Sequence, residues 1–316
     1  MGKRGTSAFL ASMLLLTALG AQGADDKFDV NQIGKRKVAR RNLISYEKEV
    51  KVGKRAAQKI DDSGDLLTDP IINEYVERVA RKIASNSDLK KPLTIKVVNQ
   101  AEFNASVLPG GFLYVFTGLL AQLDDEGELA GVLAHEIAHL AARHWANQAT
   151  KRAIARSIEL PLMSLPISGA IYTTAAEVYL KGMPFALLKF SRGQELEADF
   201  LGLQYMYKAG YDPNCYIRFL QRAQQLEGQG AANTWTLFKD HPHAQERIAR
   251  ALEEIRAILP DRQYAAVSKC EFDSIKERLL GDSGSPDTPD LSAAETQPPD
   301  GTHTIEETPP AFRRRD

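Results

Sequence analysis

The chain has 316 residues, of which 43% are hydrophobic and 26% charged, and its formal net charge is −1. That length suffices for one large globular domain or two small ones. The near-neutral balance excludes a protein that holds nucleic acid through its overall charge.

Residues 1–23 read as a secretory signal. Lys3 and Arg4 precede the apolar run from Phe9 to Leu19, and Ala21-Gln22-Gly23 offers a small-x-small cleavage site. The run is short for a membrane span, so cleavage is expected over retention as an anchor. No cysteine follows the site, which excludes a lipid anchor on such a residue. Export points to a bacterial periplasm or an equivalent oxidising space. In that setting Cys215 and Cys270 read as a disulfide or as buried free thiols. Neither has CxxC spacing, which argues against a cysteine zinc site.

The segment 24–280 is read as the folded domain. Residues 34–59 hold ten Lys or Arg and two Glu. Helical spacing through Val38, Leu43, Ile44 and Val50 predicts an amphipathic helix with a solvated basic face. Peripheral contact with an anionic membrane is the sharper reading of that face. Asp69-Pro70 opens a second helix whose buried stripe is Ile72, Tyr75, Val76, Val79 and Ile83. A short β region follows. Leu93, Ile95 and Val97 alternate with polar residues, Asn104 to Leu108 leads into the turn Pro109-Gly110-Gly111, and Phe112 to Phe116 forms a further strand. An edge strand beside a reaction centre can pair with an extended peptide and align its scissile carbonyl. Gly110, Gly111 and Phe112 are accordingly assigned to substrate binding.

Glu128 to His144 contains HEIAH: His135, Glu136 and His139. On a helix, residues four apart share a face, so His135 and His139 can hold one zinc ion between them. Glu136 lies about 100° round from His135, within reach of a water on that metal. HExxH fixes only three positions, and ordinary helix histidines would also satisfy it. The segment is nevertheless a good helix former, and Leu129, Val132, Leu133 and Ile137 mark it as packed in the core. Polar groups on such a helix need partners, and a metal would be one.

Residues 158–190 are apolar but broken by prolines and glycines, which argues against a straight membrane helix and suggests a lid or a membrane-apposed loop over the cleft. Ser191 then opens a helix to about Ala209, stopped by Gly210. Glu195 and Asp199 share one of its faces, whereas Glu197 lies about 200° round from Glu195. Alone, an acidic helix start is explained by the helix dipole. Paired with HEIAH, Glu195 becomes the third ligand, with water in the fourth place. Asp199 would accept a hydrogen bond from a ligand histidine and fix its tautomer. A metzincin would need a histidine where Trp145 stands. His144 falls about 180° round a continued helix from His135 and is expected to face away, as a helix-end residue or one in a layer behind the ligands.

The segments ELAGVLAHEIAHLAARH, SRGQELEADFLG, LPGGFLYVFTGLL and HPHAQERI together resemble the zinc metallopeptidase family that includes HtpX and the CAAX prenyl proteases. Within it they most resemble the exported branch typified by BepA and LoiP. The resemblance covers roughly residues 45–258. It implies a gluzincin-type fold, one zinc ion, and endopeptidase activity on misfolded or unassembled envelope proteins. It also implies contact with outer-membrane assembly machinery. By the same resemblance His135, His139 and Glu195 are ligands, Glu136 is the catalytic base and Asp199 the supporting carboxylate. His241 lies by the metal, where it hydrogen-bonds an oxyanion or occupies the open zinc position in a latent form. The sequence departs from that branch in two respects. It shows no tetratricopeptide repeats, and it has Asn104-Ala-Ser-Val where the family has Asn-Ala-Phe-Ala.

The expected architecture is a predominantly helical α+β domain with a small sheet next to the HExxH helix. The last 36 residues hold six of the 15 prolines and read as a disordered tail, 281–316. Neither His243 nor His303 receives a role. The expected chemistry is zinc-assisted peptide hydrolysis. A metal-bound chaperone with little turnover and a structural zinc protein are the competing classes.

Overall fold

The computed structural model describes residues 27–163, 190–228, 241, 244–264 and 269–281. The expected signal at 1–23, residues 164–189 of the expected lid, His243, and the tail from residue 282 onward lie outside the described residues. Helices predominate, beside one three-stranded sheet, as the sequence leads one to expect. Among the described residues, no helix is long and apolar enough to cross a membrane.

A strap from Lys27 leads to helix α1 (Tyr46–Asp61), which starts at its Ser45 cap rather than near residue 34. Val38, Leu43 and Ile44 therefore precede the helix, and Leu43 is 72% exposed. The helical period read through them was carried across a cap. Arg36 pins the strap: its buried guanidinium donates to Asp88 Oδ2 at 2.7 Å, to Gln204 Oε1 at 2.7 Å and to the Lys27 carbonyl at 2.5 Å. Helix α2 (Pro70–Ser85) is capped by Asp69 and buries the expected stripe.

Strands β1 (Thr94–Val98), β2 (Ala105–Leu108) and β3 (Phe112–Phe116) form a sheet of order β1-β3-β2. β3 is central, parallel to β1 (Ile95 opposite Leu113) and antiparallel to β2 (Val107 opposite Leu113). Phe112 is paired on both sides, with Thr94 and Leu108, so its main chain offers no free edge to a substrate. The strand with an open side, next to the HExxH helix, is β2. Gly110 and Gly111 turn the β2–β3 hairpin at φ of 86° and 100°. A Cβ on Gly110 would lie 2.6 Å from the Val50 backbone and one on Gly111 2.2 Å from the Pro92 carbonyl oxygen. Both positions therefore require glycine on conformation and on space.

After a short helix α3 (Thr117–Gln122) comes α4 (Glu126–Ala141), buried on nearly every side. Its carboxylates Glu126 and Glu128 are not solvated. Tyr75 and Tyr211 donate to the first, and Arg222 pairs with the second. Helix α5 (His144–Met163) follows. Helix α6 (Arg192–Ala209) opens with the capping box of Ser191 and Gln194 and closes on Gly210 at φ +90°. It packs closely on α4, since a Cβ on Gly202 would come within 3.2 Å of the His135 amide nitrogen. Among the described residues the last elements are helices α7 (Asn214–Gly228), α8 (Ala244–Ile258) and α9 (Lys269–Gly281). No disulfide links the cysteines: Cys215 is buried at the start of α7, and Cys270 is exposed on α9.

Candidate active site

Helices α4 and α6 present the site to each other. His135 Nε2 and His139 Nε2 lie 3.0 Å apart, and Glu195 reaches between them, at 3.3 Å from the first and 3.6 Å from the second. A tetrahedral zinc with ligands at about 2.05 Å has edges of about 3.3 Å. The three side chains are thus spaced as corners around one small cation. Together with His241 they form a buried group whose ligating atoms all lie within 4.8 Å of one another. Two observations argue that an ion belongs here. Glu195 Oε1 is buried without a hydrogen-bond partner, and so are both carboxylate oxygens of Glu136. Buried carboxylates are costly unless something positive meets them.

The protein's own field points the same way. Burial opposes the charge on Glu195, but His241 and His139 outweigh it and hold its carboxyl well below the usual range. Burial holds His139 well below the ordinary histidine value. Burial and Arg247 act against a proton on His135, but hydrogen bonds to Asp199 and Glu195 prevail and lift it to about 9. Burial raises the carboxyl of Glu136, which makes it a better proton acceptor than a solvated glutamate.

Behind the candidate ligands stands a charged network. Asp199 Oδ1 lies 2.8 Å from His135 Nδ1, as its place one turn after Glu195 predicts. Arg247 on α8 forks onto Asp199 at 2.7 and 2.8 Å, donates to the Tyr216 hydroxyl at 2.6 Å and to the His241 carbonyl at 3.0 Å. The Tyr216 hydroxyl in turn donates to Asp199 Oδ1 at 2.9 Å. Neither Arg247 nor Tyr216 was found from the sequence. A signal existed for each. Arg247 shares a buried stripe with Ala244 and Ala251, and Tyr216 shares one with Phe219, Leu220 and Ala223. A guanidinium or phenol on a core-facing row must find a polar partner.

His144 stands in a layer behind His139, one of the two places expected of it, but it faces inward rather than away. The helix does not continue to it: α4 ends at Ala141, and Arg143 turns the chain with φ +55°. That left-handed conformation is unfavourable for a side-chain-bearing residue. Here it is held by bonds from the Arg143 guanidinium to Glu49 and to the Ile44 carbonyl. The turn swings His144 inward, so that its Nδ1 lies 2.8 Å from His139 Nδ1. Phe190 stacks on the His139 ring at 3.9 Å between centroids. Outer partners of metal-binding histidines fix their tautomer, and their loss typically lowers metal affinity 10–100-fold. His144→Ala is therefore expected to weaken metal binding by about 10–100-fold, measured against a competing chelator, with the far-ultraviolet dichroism unchanged.

His241 sits just before α8, with Nδ1 2.9 Å from Glu195 Oε2 and Nε2 3.4 Å from Glu136 Oε1. Farther along α8, Glu254 Oε2 is buried without a partner. Burial and the charge of Asp199 raise the Glu254 carboxyl to about 7. A folded-state value raised above the unfolded one contributes stability fully below the unfolded value, and this is lost as pH rises through 7. Glu254→Gln should thus leave Tm unchanged at about pH 4 and raise it by roughly 2 °C at pH 8. An equal shift at both pH values would contradict this.

Two histidines and a glutamate from two packed helices, with a buried carboxylate beside them, define the class as a metallopeptidase. The chain belongs to peptidase family M48, whose model matches residues 70–255. It is 28% identical over 265 residues to a putative beta-barrel assembly-enhancing protease of Vibrio cholerae serotype O1, covering 81% of this chain and 53% of that protein. It is 25% identical over 255 residues to the beta-barrel assembly-enhancing protease of Escherichia coli K12, covering 76% and 50%. It is also 39% identical over 184 residues to the mitochondrial metalloendopeptidase OMA1 of Schizosaccharomyces pombe, covering 57% and 52%. The chain spans about half the length of these relatives.

Proposed function

We propose that the protein is an exported zinc-dependent endopeptidase that hydrolyses misfolded or unassembled polypeptides of the cell envelope. The observation that carries this reading is Glu136: a buried carboxylate with no hydrogen bond to either oxygen, beside a two-histidine, one-glutamate group that could hold a metal ion. His135, His139 and Glu195 would hold the zinc. Bound there, zinc supplies Lewis-acid polarisation of the scissile carbonyl and acidifies a water. The envelope assignment is supported by the secretory pattern of residues 1–23 and by the likeness to beta-barrel assembly-enhancing proteases. A periplasmic site and contact with outer-membrane assembly machinery belong to the same proposal.

Glu136 faces a void of about 10 Å³ lined also by His135 and His241, roughly the room of one water. It takes a proton from that water as the scissile carbon is attacked and passes it to the leaving amine. Asp199, oriented by Arg247 and Tyr216, holds His135 in the tautomer that leaves Nε2 free. His241 reaches both Glu136 and Glu195, so it can donate to the oxyanion or close the site as a further ligand. β2 is an edge strand, and its Val107 and Leu108 line the larger cavity beside His139. Phe116 N–H donates to the Asn104 carbonyl. The alternation of an antiparallel ladder then turns the main chain of Ala105 and Val107 away from β3, the side on which an extended peptide would add. Gly110 and Gly111 border the same cavity.

The test is direct. Purified mature protein is incubated with unfolded casein, with and without chelator, and the cuts are mapped by mass spectrometry. Internal cuts that chelator abolishes and zinc restores are expected. Tight casein binding with no cut at any zinc level would instead establish a metal-bound holder of unfolded chains.

A further inference from the structure

A cavity of about 430 Å³ opens beside His139. Its floor is apolar, formed by Val38, Leu108, Leu140, Trp145 and Phe190. Its rim is cationic. Lys35 and Lys37 come from the strap, Lys90 and Lys91 from the loop before β1, and all four are exposed. Lys91 lies 4.3 Å over the Tyr46 ring and Lys90 donates to the Gly34 carbonyl, contacts that position an ammonium without neutralising it. Among the described residues the carboxylates lining the cavity are Glu49 and Asp88, and both are engaged. Arg143 takes Glu49, while Arg36, Tyr205 and the Gly34 amide take Asp88.

We propose that this cavity selects substrate segments in which an apolar side chain is flanked by aspartate or glutamate. The inference rests on the peptidase reading and names the substrate class of that site. Val107 and Leu108 of β2 line the cavity together with His139, so a peptide laid along β2 from the ligand histidines enters it within a few residues. Side chains two apart along an extended peptide share a face, so when one meets the apolar floor, those two positions to either side meet the rim. One exposed lysine contributes little, but four of one sign around a hollow focus a field that favours anions. The lysines surround a concavity that leads to His139 rather than a flat face, which favours a peptide over a membrane surface.

Binding is read on the full-length mature Glu136→Gln protein, so that turnover does not enter. The probes are two short fluorescein-labelled peptides with the same Leu-Phe core, flanked by Asp in one and by Lys in the other. The Asp-flanked peptide should bind at least about tenfold tighter at low salt, and the difference should collapse near 0.5 M salt. Adding Lys35→Glu and Lys37→Glu should erase the preference. Equal affinity for the two peptides, or a preference untouched by the charge reversals, overturns the proposal. So does a preference that survives while the reversals abolish adsorption to phosphatidylglycerol vesicles, because the lysines then serve a membrane. A protein that cleaves nothing yet prefers the acidic peptide refutes the peptidase reading and leaves the selectivity standing.

Discussion

Glu136→Gln is expected to lower kcat by about 10³-fold while the protein retains one zinc per chain. Glutamine keeps the shape of the side chain and removes only its capacity to accept a proton. The ligand atoms of His135, His139 and Glu195 belong to other residues, so the ion has no reason to leave. Burial lifts the carboxyl of Glu136, and no hydrogen bond occupies either of its oxygens. A carboxylate so placed is poised for proton transfer, and its loss falls on the chemical step rather than on substrate binding. KM should therefore change little. Cleavage at the wild-type rate in the zinc-loaded variant would remove Glu136 from the base role.

Arg247→Met should be the most destabilising single change near the site. The guanidinium is 2% exposed as a side chain and forks onto Asp199, itself 2% exposed. Removing one member of a buried pair leaves the other charged and under-compensated, at a cost of about 3–5 kcal/mol. For a chain of this size that corresponds to a fall in Tm of roughly 6–20 °C. Tyr216 and His135 would still face Asp199, which places the expected loss toward the lower end. A double-mutant cycle with Asp199→Asn distinguishes this from lost packing alone. The two changes together should cost less than their sum by at least about 1 kcal/mol, because the second removes the charge that the first exposes. Strict additivity would show that the two groups do not act as a pair.

How far the sequence carried depended on the range of the interaction. The meeting of His135, His139 and Glu195 in one buried group was legible because it rests on helical spacing: His135 and His139 one turn apart, Glu195 and Asp199 one turn apart. The caps were legible for the same reason, as Asp69, Ser191 and Gly210 show. Signals that require a change of direction were not. His144 was placed by continuing a helix that ends at Ala141, and the left-handed Arg143 that redirects it is stabilised by groups more than 90 residues away in sequence. The start of α1 was misplaced because basic residues share one composition on both sides of Ser45. Strand order was hidden as well: Phe112 heads a strand whose central position depends on β1 crossing to pair in parallel. Arg247, Tyr216 and Phe190 meet the site through tertiary packing of α7, of α8 and of the residue preceding α6, which no local period encodes.

The central claim is that one zinc ion is held by residues from α4 and α6 with a corner left for chemistry. Anomalous diffraction at the zinc edge from crystals of the metal-loaded protein tests it most directly. The account predicts a single strong peak per chain at about 2.0–2.2 Å from His135 Nε2, His139 Nε2 and a Glu195 oxygen. A peak at any other group of residues, or zinc bound at full occupancy in a Glu195→Ala, His139→Ala protein, would contradict it.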